Sequence, residues 1–146
     1  MANKKKDFLV VGLFVLVLIS FTFGMFKWIQ SSSNDYDSRL NETVFLSEKQ
    51  ALPESYNIVF YRRDCPFCKA GKKAVLEAAK ETEIKTYFVN VVTSDGQKVV
   101  REYAVSKVAT IVAVRGQNRR SYIYAYKTKD GKFRANQKKI EEAFHE

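Results

Sequence analysis

Asn57–Cys68 reads NIVFYRRDCPFC, and its two halves decide the fold. Asn57–Tyr61 is a compact run of apolar, β-branched and aromatic residues, the composition of a buried strand. Beyond it, Cys68, Gly71, Val75, Ala78, Ala79 and Thr82 recur at steps of three and four, with Lys69, Lys72, Lys73, Glu77 and Lys80 on the opposite side. That spacing predicts an amphipathic helix over 66–82. Both cysteines therefore sit where a strand hands over to a helix. Pro66 falls at the first helical position, where its fixed φ helps and its missing N–H costs nothing. Cys65 then lies at the N-cap, where free backbone N–H groups and the helix dipole favour a thiolate. Arg62, Arg63, Lys69 and Lys72 act in the same sense and Asp64 opposes them. Cys65 is expected to lie exposed at the mouth of the helix and Cys68, one turn in, to be shielded.

Working outward, Thr43–Phe45 reads as a short strand and Ser47–Leu52 as a helical turn stopped by Pro53. Ile84–Val92 is the next strand. Ser94 followed by Gln97 offers a capping box for a helix that carries Val99, Val100, Tyr103 and Ala104 inward. Val108–Val114 and Ser121–Tyr126 are two further strands, and the short link at 116–118 makes them antiparallel neighbours. Asp130-Gly131 marks a turn. Asn136 caps a last helix bearing Ile140, Ala143 and Phe144. The order predicts an α/β fold, a central mixed sheet flanked by helices. Tyr122, Tyr124 and Tyr126 alternate on one face of their strand, a stripe expected to pack against a helix rather than to bind a peptide. His145 is expected to be an exposed terminal residue.

The ends of the chain differ in chemistry. Residues 8–26, FLVVGLFVLVLISFTFGMF, carry no charge. As a helix they would span roughly 28 Å, close to the hydrocarbon thickness of a bilayer. Lys27 and Trp28 follow as an interfacial pair. The stretch is longer than a signal-peptide core and bulky residues follow it, which favours an uncleaved anchor over a cleaved leader. The expected organisation is a cytoplasmic basic head at 1–7, a transmembrane signal anchor at 8–29, a polar linker at 30–42 and a folded domain at 43–146. Lys4, Lys5 and Lys6 put the head in the cytoplasm and the domain outside, in a compartment that tolerates disulfides. The net charge is +9, of which +6 falls on residues 31–146 once Lys4, Lys5, Lys6 and Lys27 are set against Asp7. This basic domain carries no nucleic-acid motif, so none is expected as a partner.

Composition narrows the chemistry. A chain of 146 residues is too short for a two-domain enzyme or an eightfold barrel. Two cysteines exclude a disulfide-dense scaffold, and a single histidine excludes sites built from several. Structural zinc would need four ligands, and beyond the pair only His145 and carboxylates are on hand. A purely structural disulfide across so short a loop would restrict the unfolded chain little. Redox exchange is the reading that uses the spacing, the proline and the helix start together.

With CPFC at a helix start after a strand, followed by strand, helix, strand, strand and helix, residues 43–146 resemble the thioredoxin superfamily. The resemblance implies a thioredoxin-like fold with Cys65 as attacking nucleophile and Cys68 as resolving thiol. It implies that Asp64, Pro66, Phe67 and Arg63 tune the pair. It also places the substrate-binding loop at Val108, Ala109 and Thr110. Three departures stand out. Ala109 occupies the place of the family's cis-proline, so a trans bond is expected there. Val59 occupies the place of the buried acid that helps move protons at the resolving thiol, and Asp64 stands where the family carries tryptophan. The direction of electron flow stays open.

The sequence thus points to a membrane-anchored, extracytoplasmic thiol–disulfide oxidoreductase, bacterial in the style of its tether. It would work through the Cys65–Cys68 disulfide with no other cofactor and no metal. Expected partners are cysteine-containing envelope or secreted proteins, a membrane or envelope redox partner, and the bilayer itself. Two readings remain beside it: a non-catalytic module of an export, conjugation or bacteriocin-secretion apparatus, and a metal or cluster held by the cysteine pair in a dimer.

Overall fold

The computed structural model describes residues 12–25 and 35–145, which fall into two separate units. In the first, residues 12–25 form helix α1, whose large apolar side chains are exposed. The basic head at 1–7 lies outside the described residues, as do both ends of the expected anchor at 8–29 and residues 30–34 of the linker. Among the described residues no helix is long and apolar enough to cross a membrane.

The second unit is built on a sheet in the order β2-β1-β3-β4, from β1 (Ser55–Tyr61), β2 (Lys85–Asn90), β3 (Thr110–Arg115) and β4 (Asn118–Ile123). β1 and β2 are parallel, while β3 runs antiparallel to both β1 and β4. Gly116 adopts φ +58° in the β3–β4 turn, a left-handed value that glycine tolerates. Side chains alternate between two cores, as a period of two requires. Val59, Tyr61, Phe88, Ile111 and Ala113 face one, together with α3 (Pro66–Glu81) and α5 (Gln137–His145). Tyr56, Ile58, Phe60, Tyr87, Val89, Val112 and Val114 face the other, covered by α2 (Glu42–Ser47) and α4 (Ser94–Glu102).

Four local expectations are corrected. Residues 43–45 are helical, not a strand, because the Asn41 side chain accepts the Val44 N–H and starts α2, which buries Phe45 completely. α4 is capped by Thr93, which accepts the Gly96 N–H at 2.9 Å; Gln97 instead reaches back to the Val91 carbonyl. The strand expected over 121–126 is broken at Tyr124. Its second half, β5 (Ala125–Lys127), pairs with β6 (Phe133–Ala135), a strand of three residues, too short to stand out in the sequence. Finally, residues 35–42 are packed rather than free. Tyr36 is buried against Tyr61 and Phe88. Glu42 accepts hydrogen bonds from the Thr93 hydroxyl at 2.7 Å and the Asn90 N–H at 3.2 Å. The Leu40 carbonyl takes the Phe88 N–H at 2.7 Å, so the segment lies along β2.

Candidate redox site

β1 ends at Tyr61, and its register against β2 and β3 fixes where the chain leaves the sheet. The Cys65 N–H donates to the Arg62 carbonyl at 3.2 Å, closing a turn that delivers Cys65 to the N-cap of α3. Cys65 has extended backbone angles (φ −83°, ψ 119°), and its Sγ accepts the Cys68 N–H at 3.3 Å. Pro66 occupies the first helical turn, as its fixed φ favours. The sulfur thus stands in for the side-chain oxygen of an ordinary cap and receives one of the helix's unpaired donors. Both cysteines are free thiols one helical turn apart.

The two sulfurs differ from expectation in one respect. Cys68 is shielded, at 1% exposure, but so is Cys65, at 2%. Helix-cap geometry places a side chain at the end of its helix without fixing what packs over it. Here both cysteines join a cluster with Tyr36, Ala109 and Tyr124, against which Phe67 and Val108 pack. Burial first, then the neighbouring Cys65 sulfur, push the Cys68 thiol up to about 11. The Arg62 backbone and the Tyr124 hydroxyl pull the other way.

Asp64, Arg63 and Pro66 are exposed beside the pair. Arg63 Nε holds Asp37 at 2.8 Å. Phe67 meets Phe133 of β6 edge-on, with ring centroids 4.8 Å apart. Ala109 is buried in the cysteine cluster and adopts φ +64°, and its peptide bonds are trans. That left-handed backbone strains a residue with a Cβ by about 1–2 kcal/mol. The Ala109 carbonyl accepts the Tyr124 N–H at 2.9 Å, so it is already engaged. Val108 is half-buried, and Thr110 begins β3 opposite Phe60 with its hydroxyl on the Lys107 carbonyl.

A half-open cavity of about 400 Å³ reaches Cys68. Tyr36 and Tyr61 line it, and Arg62, Arg63, Lys69 and Lys72 outnumber Asp35 and Asp37 around it. The Tyr36 hydroxyl donates to the Cys68 carbonyl at 3.2 Å. In the sequence Tyr36 falls within the polar linker and carries no signal of a site. Tyr124 falls within the stripe of alternating tyrosines. The available signal for Tyr124 was Gly71, a glycine inside a helix on the side of Cys68. Among the described residues, no group of three or more His, Cys, Asp or Glu side chains is placed to hold a metal ion.

A mixed sheet with parallel β1 and β2, antiparallel β3 and β4, helices on both faces and a C-x-x-C pair opening the helix after β1 is a thioredoxin-like fold. No family model matches the chain, and no curated protein does. Among solved structures it is similar to thioredoxin O2 from Arabidopsis thaliana in the oxidized state. That match has 19% identity and a TM-score of 0.49, and covers 62% of this chain and 86% of that one. It is also similar to Chlamydomonas reinhardtii thioredoxin f2, at 16% identity and TM-score 0.46, over 57% of this chain and 81% of that one.

Proposed function

We propose that this protein is a membrane-tethered, extracytoplasmic thiol–disulfide oxidoreductase. The observation that carries the reading is the Cys65 sulfur capping α3 and accepting the Cys68 N–H at 3.3 Å. The sulfur there sits at the N-terminal end of the helix with a backbone donor already on it, the position from which it acts as nucleophile and as leaving group. The Cys65 thiolate attacks a substrate disulfide. One substrate sulfur leaves and takes up a proton, and the other stays bonded to Cys65. The Cys68 thiolate then attacks Cys65 Sγ, and the second substrate sulfur leaves. Two electrons have passed from the dithiol to the substrate, and a partner dithiol restores the pair; oxidation of substrates is the same sequence reversed. The substrates would be cysteine-containing envelope or secreted proteins. The apolar stretch at 8–26 supports the anchor, and the three lysines before it support a cytoplasmic N-terminus.

Two measurements on the full chain test this. Equilibrated with thiol–disulfide buffers of graded potential and then quenched, the protein is expected to interconvert reversibly between a dithiol and one intramolecular disulfide. A midpoint near about −270 mV would mark a reductant and one near about −120 mV an oxidant. Failure to form the Cys65–Cys68 disulfide would overturn the reading. Protease added outside intact cells is expected to cut the domain; full protection there would overturn the extracytoplasmic placement.

The 2% exposure of Cys65 and the left-handed Ala109 favour a second reading, a binding module that keeps the fold without turnover. That reading predicts no change in biological function when both cysteines become serine.

A further inference from the structure

Burial disfavours the Cys68 thiolate, yet this sulfur has to ionise before it can resolve a mixed disulfide. We propose that Tyr124 supplies the side-chain hydrogen bond that, beside the Arg62 backbone, stabilises the Cys68 thiolate during the resolving step. The proposal deepens the exchange reading and rests on it.

Tyr124 sits at the break between β4 and β5 with its side chain fully buried. Its backbone is held on both sides: its N–H donates to the Ala109 carbonyl at 2.9 Å, and its carbonyl accepts the Asn136 N–H at 2.8 Å. The ring lies so close to Gly71 that a Cβ there would come within 2.4 Å of Cδ2. Gly71 follows Cys68 by three residues, so both lie on the same side of α3. Tyr124 and Cys68 belong to one buried cluster; the hydroxyl lies 3.3 Å from the Phe60 carbonyl, and its hydrogen bond favours the ionised Cys68 sulfur.

A hydroxyl has one hydrogen and two lone pairs. While Cys68 is a thiol, its S–H can donate to Tyr124 Oη, whose own hydrogen points to the Phe60 carbonyl. When the thiol ionises, rotation of the hydroxyl turns that hydrogen onto Sγ. Tyr124 loses no proton: burial holds it well above the ordinary tyrosine range, so it serves as a donor throughout. The Cys68 proton passes to solvent in the adjoining cavity. Sγ of Cys68 then bonds to Sγ of Cys65, the bond from Cys65 to the substrate sulfur breaks, and the departing thiolate takes a proton from solvent. Val59 offers no carboxylate from β1 for this purpose. The Tyr36 hydroxyl lies on the Cys68 carbonyl and shares a hydrogen bond with Tyr124, so it is a further partner among which the Tyr124 hydrogen is divided.

An aromatic disulfide reagent that releases a coloured thiol separates the two steps in the full chain. The first release reports attack by Cys65 and the second reports resolution by Cys68. Tyr124→Phe keeps the ring over Gly71 and removes one oxygen. A hydrogen bond to a charged group shifts the thiol by about one to two pH units. Part of the lost thiolate is offset by its greater nucleophilicity. The second release is therefore expected to slow about four- to tenfold near neutral pH with the first unchanged. Equal second phases in wild type and Tyr124→Phe would overturn the role of Tyr124 while leaving exchange intact. Absence of a second phase in wild type would overturn the exchange reading itself. Should Tyr124→Phe not fold, a difluorotyrosine in place of Tyr124, a stronger donor of nearly the same shape, is expected to speed the second phase. No acceleration there would overturn the proposal.

Discussion

Cys65→Ser is expected to abolish exchange, and Cys68→Ser to stall it after the first half-reaction. The asymmetry follows from the two environments. Cys65 caps α3 and takes the helix's hydrogen bond, whereas Cys68 lies inside the first turn and is pushed up to about 11. At neutral pH a thiol held there is ionised in only about one molecule in ten thousand, against a few per cent for a free cysteine. Higher intrinsic nucleophilicity recovers about tenfold of that deficit. The lone Cys68 of the Cys65→Ser variant loses the push of the Cys65 sulfur and keeps that of burial, so it should react with a small alkylating agent more slowly than a free cysteine, by at most about twentyfold. In Cys68→Ser, Cys65 should still attack and should accumulate as a mixed disulfide visible by mass spectrometry. If the lone Cys68 instead proves the faster thiol, the roles assigned to the two sulfurs are reversed. The burial of Cys65 bears on the rate of the first attack and not on this order. The covering side chains have to part for any substrate, but they do not remove the hydrogen bond from the sulfur.

The parts of the structure legible in the sequence are those with short-range causes. β1 announced itself as an unbroken apolar run, and α3 by the three- and four-residue spacing of its buried side. Pro66 and Cys65 marked the helix start because capping is settled within four residues. What the sequence concealed depends on distant partners. Tyr36 lies in a polar stretch with the composition of a linker, and only the folded sheet brings Tyr61 and Phe88 against it. Thr93 and Ser94 are both good caps, and the choice of Thr93 is sealed by Glu42, 51 residues away. Tyr122 and Tyr124 fit one alternating strand until the Ala109 carbonyl and the Asn136 N–H capture the backbone of Tyr124 and break the ladder. The burial of Cys65 belongs to the same class, since its cover comes from segments far along the chain.

Gly71→Ala tests the packing that holds the site together, and it should destabilise the domain even though alanine is the better helix former. Alanine in a helix interior gains about 1 kcal/mol over glycine. Against that gain, the new methyl would lie 2.4 Å from Tyr124 Cδ2, 2.8 Å from Cε2 and 3.2 Å from the Tyr124 carbonyl oxygen. Tyr124 has little room to give way. Its ring is wholly buried, its hydroxyl is on Phe60 and its backbone is bonded on both sides. Overpacking of this kind costs about 1–3 kcal/mol and sometimes more, and a contact this close to a fixed ring belongs at the upper end. A net loss of about 2 kcal/mol is expected in denaturant unfolding of the full chain, with slower resolution by Cys68 as the hydroxyl is displaced. Tyr124→Leu removes the ring atoms that the methyl would strike. In that background Gly71→Ala should cost much less, a coupling that two independent sites would not give. Additive losses would mean that α3 moves aside without disturbing Tyr124, and that the close approach of Gly71 does not position the hydroxyl.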